Sequence, residues 1–477
     1  MRLLFSSELG VIRRLFRFRR RRIEDRSESE LRYGLRRIII AWGFGSVFFN
    51  TTFGAPFAAY ARRLGAGEFF FSFLSALPML SSLAQVLSSY LVEKTGRRRA
   101  IFVRSAVVQR LVWIPIALLP WIFPKGPVLL LALALLLFTG SFFGNLSGPA
   151  WMSWMADFVP LKIRGKYFGL RMRIGTVVGL LSASIAGLVL DWWTPPSPYT
   201  PYTVLFIAAS LSGAIDVLLF LKVPEPPIQE RTEPPRLRDL IRIPFRNENF
   251  KRFLVYSALA SFGFNIIGPS LWLFALETLK MGKFWANLTL MIAHMVAIAI
   301  FSRMWGGLID RYGNRPVLRL TALGLAFFPV PWLLAEPSSW RWLVINGFVA
   351  GMFWSGLELA NFNLLLGLFP RENKSIYLAA YSVIVGAVAG LAPVIGGIVL
   401  EPLKGLHMPV GPWVLVSYKI VFLAAFVLRL FTALVVLPML RESGAKATRT
   451  MLREIYGEWR GSFEVLFERL RRRGQNR

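Results

Sequence analysis

The chain has 477 residues, 55% of them apolar, no cysteine, and 56 Lys and Arg against 26 Asp and Glu, for a formal net charge of +30. These figures exclude a disulfide framework and a Cys-ligated metal site; with His294 and His407 the only histidines, an ordinary zinc site lacks ligands too. A mean hydropathy of +0.52, carried by apolar runs from end to end, excludes intrinsic disorder and a string of soluble cores.

In chain order, residues 1–37 form a basic segment containing Arg13, Arg14, Arg17 and Arg19 to Arg22. Twelve apolar runs follow, at 38–61, 68–92, 100–122, 128–156, 168–191, 202–223, 252–276, 284–308, 316–335, 342–368, 376–400 and 413–438. Each is near the roughly 20 residues a helix needs to cross a bilayer. They are too long for barrel strands and lack period-2 alternation, so the predicted fold is all-α and polytopic. Domain boundaries fall at 38–223 and 251–438 for two six-helix bundles, with a Pro-rich linker at 224–250 and a basic amphipathic tail at 439–477.

The cations cluster in alternate loops and at both ends. Only Arg62, Arg63, Lys125, Lys280, Lys283, Arg341 and Lys404 fall on the other side, which places both termini in the cytoplasm. This distribution accounts for the charge without nucleic acid. In the tail, Leu452, Ile455, Trp459, Phe463, Leu466 and Leu470 make one helical face. Such basic segments suit anionic lipid on the cytoplasmic leaflet, at about 1 kcal/mol per cation. No secretory signal pattern is expected at the N-terminus.

Internal similarity is the strongest pattern. Ser89, Leu91, Glu93, Lys94, Gly96, Arg97 and Arg98 align with Gly306, Leu308, Asp310, Arg311, Gly313, Asn314 and Arg315 at an offset of 217. Pro160, Arg164 and Tyr167 align with Pro370, Lys374 and Tyr377, and the glycines at 175 and 179 with those at 386 and 390. Three matches in one order mean two homologous halves related as parallel repeats.

Two six-span halves with this loop after spans two and eight resemble the major facilitator superfamily of secondary transporters. The run from Pro160 through Arg164, Gly165 and Arg171 resembles its loop between spans four and five. The resemblance implies alternating access by rocking of the halves. It also implies a cytoplasmic latch built from Glu93, Lys94, Gly96, Arg97, Arg98, Gly306, Asp310, Arg311, Gly313 and Arg315, with Asp157 as acidic partner for Arg97 or Arg98. Gly306 and Gly313 are expected to allow close approach and a sharp turn. No acid stands near Gly367, so the latch is expected to be asymmetric.

Ionisable groups inside the membrane are functional candidates because insertion costs roughly 2.5–3.5 kcal/mol each. Trp354, Glu358 and Asn361 share one stripe of span ten. The resemblance has spans 1, 4, 7 and 10 line the cavity, which makes Glu358 a proton site or a partner for a cationic substrate group. His294 offers a proton relay, and Asn50, Asn145 and Asn265 offer ligand hydrogen bonds or helix–helix contacts. Arg110 requires a partner, for which Asp216 is the candidate, and Arg429 is read likewise. Ala392-Pro393 with Gly396 and Gly397 resembles a drug-antiporter kink motif, but sits in the other half from those exporters.

The resulting expectation is a monomeric transporter of a small organic solute in a bacterial inner membrane. It would have no cofactor or metal and no P-loop, and efflux would rank ahead of sugar or metabolite uptake. The rivals are a polytopic membrane enzyme, for which His407 lacks an adjacent acid, and a lipid scramblase.

Overall fold

The computed structural model describes residues 25–226, 244–367, 374–403, 405–410, 413–440, 442 and 446–454. The arginines up to Arg22, the middle of the linker, Pro370, and the tail stripe from Ile455 onward lie outside the described residues.

Among the described residues, eleven helices are long and apolar enough to span a membrane: Glu68–Thr95, Arg98–Ile122, Pro127–Phe158, Ile163–Trp192, Thr200–Phe220, Glu248–Thr278, Lys283–Tyr312, Asn314–Leu334, Trp340–Leu365, Ala380–Leu403 and Ser417–Met439. The pair Ser29–Thr52 and Ala55–Arg63, bent by 42°, makes the twelfth. We number them as spans 1 to 12, with the bent pair as span 1. The chain is thus an all-α, multi-pass membrane protein, with one small exception. Residues His407–Val410 and Trp413–Val416 pair as an antiparallel hairpin, Met408 opposite Leu415, so the last apolar run enters its helix only at Ser417.

Several spans are broken where the sequence removes a side chain or a donor. Gly54, at φ 75°, starts the second piece of span 1, with Pro56 in its first turn. In span 2, Pro78 precedes a 3-10 turn at Ser81–Leu83. Span 7 breaks between Asn265 and Gly268, with Pro269 opening the next piece, and span 9 breaks at Phe328 before Pro329. Carbonyls freed at these breaks are re-bonded by side chains, as a hydrocarbon environment requires. Asn145 of span 4 donates to the Pro78 carbonyl at 2.8 Å. Arg429 of span 12 donates to the carbonyls of Gly263 at 2.8 Å and Leu325 at 3.3 Å, joining the breaks of spans 7 and 9.

The loops after spans 2, 4 and 8 share one face, called here the basic face. The buried core is distributed unevenly between the two faces. Near the opposite face a single cluster crosses between the halves, uniting Phe57, Phe71 and Trp113 with Phe274, Trp332 and Phe422. Toward the basic face it divides into two separate clusters. One holds Phe102, Trp154 and Phe220, and the other Phe250, Trp305 and Tyr312. Within the membrane such contact rests on van der Waals packing, so close approach by small residues matters. A Cβ on Gly187 would lie 2.6 Å from the Phe284 Cα, and one on Gly397 would lie 2.7 Å from the Ser72 Cβ. Span 11 follows the same rule: a Cβ on Gly396 would lie 2.6 Å from the Ile266 carbonyl at the break of span 7. The molecule is therefore closed at the opposite face, and residues 84–95 of span 2 pack on span 4 of their own half.

Candidate functional site

A cavity of about 480 Å³ lies in the first half, lined by spans 1 to 6. Its wall is rich in aromatics, with Gln109, Arg110, Ser141, Asn145, Ser147, Arg171 and Asp216 as polar residues. Arg110 and Asp216, both buried, form the ion pair expected between them at 3.1 Å. Arg110 also lies over the rings of Phe48 and Phe49, at 4.4 and 4.5 Å, while Gln109 accepts from its second terminal nitrogen at 2.7 Å. Arg429 in the second half is held instead by carbonyls and by the ring of Phe264 at 4.7 Å. The halves thus place an arginine against aromatics of span 1 or span 7, by different polar partners.

Arg171, named in the sequence only as the end of a motif and already within the predicted run 168–191, stands in span 5 and lines the cavity. Its guanidinium lies 3.9 Å from the ring centre of Trp42 and 4.5 Å from that of Trp151. Its Nε and the Trp42 Nε1 are buried without a hydrogen-bond partner. Gly175 leaves the space that Trp42 occupies.

In the second half, Trp354 packs edge-on against Phe264 at 5.1 Å and lies 5.9 Å from the His294 ring. One turn further, Glu358 is exposed. Asn361 donates to the Tyr381 hydroxyl at 3.2 Å, leaving its own Oδ1 buried and unbonded. The structure therefore draws His294 and the Trp354–Glu358–Asn361 stripe into one region. It does not bring the three asparagines into that region as a set. The Asn50 amide donates to the Ser46 carbonyl and that of Asn265 to the Ser261 carbonyl, both at 2.8 Å within their own helices. Asn145 clamps span 2, accepting from Gln85 at 2.8 Å and donating to Ser81 Oγ at 2.9 Å. Asn50 and Asn265 each bond within their own helix, and Asn145 bonds the break of span 2.

At the basic face, Asp157 pairs with Arg98 rather than Arg97, at 2.5 Å, and the Arg98 guanidinium also reaches the Pro226 carbonyl at 2.5 Å. Arg97 is exposed, and Lys94 lies over the Tyr90 ring at 5.7 Å. Gly96 and Gly313 take φ of 68° and 93° at their turns. Gly306 does not serve close approach, because a Cβ there would meet only Leu359 at an ordinary 3.8 Å. Among the described residues neither Glu93 nor Asp310 has an ion pair, and Arg311 faces Glu454 at 3.4 Å in its own half. Hydrogen bonds from Lys446 hold the Glu454 carboxyl below the usual range.

A repeat that motif reading missed completes this face. Glu225 accepts from the Arg99 backbone N–H at 3.0 Å, and Glu442, offset by the same 217 residues, accepts from those of Asn314 at 3.1 Å and Arg315 at 2.6 Å. Each carboxylate sits where the next helix begins and bonds its free donors. Extending the offset beyond the loop would have found the pair.

The opposite face is held by residues that sequence reading did not single out. Arg62 of the first half pairs with Glu277 of the second, and Tyr418 donates to Glu68 at 3.1 Å and to Glu277 at 3.3 Å. Asn287 accepts from the Ala55 N–H at 3.0 Å and donates to the Ala183 carbonyl at 3.1 Å. Asp191 accepts from the N–H groups of Lys283 and Phe284 and pairs with the Lys283 ammonium at 3.3 Å. Acids at helix ends on a face poor in charge were the available signal.

Two six-span halves, joined at one face and parted at the other about polar groups within the membrane, define a two-bundle helical membrane fold. A sequence profile described as the Major Facilitator Superfamily matches residues 39–300 and 255–474, and the chain belongs to that family. Over 193 residues it is 28% identical to "Multidrug resistance protein MdtG" of Salmonella arizonae, covering 38% of this chain and 45% of that protein. The same-named protein of Escherichia coli O1:K1 / APEC is 29% identical over 163 residues, 32% of this chain and 38% of the relative. The chain spans less than half the length of these curated relatives. Among solved structures, nucleoside transporter NupG superposes with a TM-score of 0.63 at 14% identity, covering 86% of this chain and 99% of that one. A bacterial homologue of the iron transporter ferroportin in its inward-facing state gives 0.62 at 12%, covering 87% and 99%. The inward open xylose transporter XylE from E. coli gives 0.60 at 16%, covering 88% and 99%. These likenesses show the fold.

Proposed function

We propose that the protein is a secondary transporter that moves a small organic solute by alternating access, with both termini in the cytoplasm of a bacterial cell and the basic face inward. The supporting observation is the core that is continuous between halves at the opposite face and divided in two toward the basic face. Rocking the halves would exchange the opposite-face bonds of Asp191, Glu277 and Asn287 for a basic-face latch. Glu93 and Asp310, unpaired among the described residues, are the free acids for it. Glu358, exposed and one turn from the Trp354 that packs near His294, is the coupling residue of this reading. The printed name of the relatives, a multidrug resistance protein, favours efflux over uptake.

The test is flux in proteoliposomes. A solute library is screened for saturable, gradient-responsive movement, and Glu358→Gln is then compared with the parent under an imposed pH gradient. Loss of about tenfold or more in proton-driven flux, with solute exchange retained, is expected if Glu358 carries the proton. Unchanged pH-driven flux removes that role. Product formation without flux would replace the transporter by an enzyme.

A further inference from the structure

The geometry points to Arg171 as the centre of an anion-binding site whose ligand carries a carboxylate, sulfonate or phosphate on an aromatic or apolar body. This deepens the transport reading and rests on it for the ligand's fate, though not for its binding.

A guanidinium within a bilayer is costly and is found with partners. Among the described residues the buried span arginines follow that rule: Arg98 pairs with Asp157, Arg110 with Asp216, and Arg429 bonds two helix carbonyls. Arg171 has neither a carboxylate nor a carbonyl bound to it among the described residues. It is packed between two indoles at 3.9 and 4.5 Å. Stacking uses the faces of a guanidinium and leaves its edge donors to project outward, the geometry that recognises a planar anion in bidentate fashion. Nε and the neighbouring Trp42 Nε1 are buried and unbonded, which leaves the terminal nitrogens as the guanidinium's donors toward the cavity.

The charge balance agrees. The ionisable groups lining the cavity are Arg110, Asp216 and Arg171; the first two neutralise each other, which leaves one positive charge at Arg171. The wall carries a net positive charge, which disfavours a cationic ligand. The cavity, at about 480 Å³, falls in the range of sites for drug-sized ligands, and its aromatic wall would cover an apolar body. The free guanidinium edge inside this wall selects the anionic end.

Binding of 2-naphthoate, neutral 2-naphthamide and cationic 2-naphthylmethylammonium is measured by calorimetry on the whole chain in phosphatidylcholine nanodiscs. The parent protein should prefer the anion by about tenfold or more over both isosteres. Equal affinity for all three overturns the site without any variant. Arg171→Met should erase the preference while leaving the amide within about threefold, and Arg171→Lys should restore part of it. An anion preference that survives in Arg171→Met also overturns the assignment. Repeating the titration with phosphatidylglycerol separates two sources of the anion: Arg171-dependent competition identifies a lipid phosphate, and its absence a soluble organic anion. Flux of the three compounds in proteoliposomes separates the two claims. Arg171-dependent binding without flux retains the site and removes transport, whereas flux with no Arg171-dependent anion preference does the reverse.

Discussion

Asp191 holds the start of span 8 from across the molecule: its Oδ1 accepts from the Lys283 N–H at 2.9 Å and its Oδ2 from the Phe284 N–H at 3.0 Å. A residue ending span 5 of the first half thereby caps a helix of the second across the closed opposite face.

Loss of that cap should loosen the closed face. A helix cap is worth about 1 kcal/mol, so Asp191→Ala should raise the population open on that face about fivefold. The chain has no cysteine, which makes Ser72→Cys, buried against Gly397, a sole reporter thiol. Its labelling from the opposite face should accelerate by that factor in the Asp191→Ala background. An unchanged rate would mean that the cap does not hold the face.

Spans 2 and 11 meet closely enough for a covalent lock. A Cβ on Gly386 would lie 3.7 Å from the Ser82 Cβ, within the separation a disulfide bridges. The Ser82→Cys, Gly386→Cys pair should oxidise readily, stop solute flux and recover it on reduction. Flux that persists through quantitative cross-linking would show that the two spans need not part.

The buried Arg110–Asp216 pair should behave as a unit. Removing one partner strands a charge and should cost about 3–5 kcal/mol, whereas replacing both with leucine should cost much less. Thermal unfolding of Arg110→Leu, Asp216→Leu and the double variant tests this. Additive losses would show that the pair does not act as one.

The tail clasp should respond to acid. With its carboxyl held below the ordinary value by Lys446, Glu454 contributes its contacts in full above about pH 4.3 and loses them as pH falls through its folded value. The protection factor for hydrogen exchange over residues 448–454, corrected for the intrinsic pH dependence of the amides, should therefore fall on acidification and stay constant in Glu454→Gln. Equal pH sensitivity in both proteins would assign the clasp elsewhere.

Apolar run length and charge placement determined the span count, most boundaries to within a few residues (span 1 begins well before residue 38), and the doubled loop motif, because a bilayer leaves a chain few ways to satisfy its backbone. The Arg110–Asp216 pairing was legible for a related reason: few charges lie in the spans, so few partners were available. What only the tertiary structure decided is which polar groups are committed and which are free. Asn50, Asn145 and Asn265 are open in sequence to ligand or helix–helix contact, and the structure bonds their amides to carbonyls of spans 1, 2 and 7, with Asn145 also lining the cavity. Arg171 reads in sequence only as the end of a motif at the start of span 5; the two indoles that enclose it are more than one hundred residues apart in sequence. Periodicity and hydropathy report whether a side chain can lie in a membrane, but not which partner it meets there, since that depends on where distant helices bend and cross.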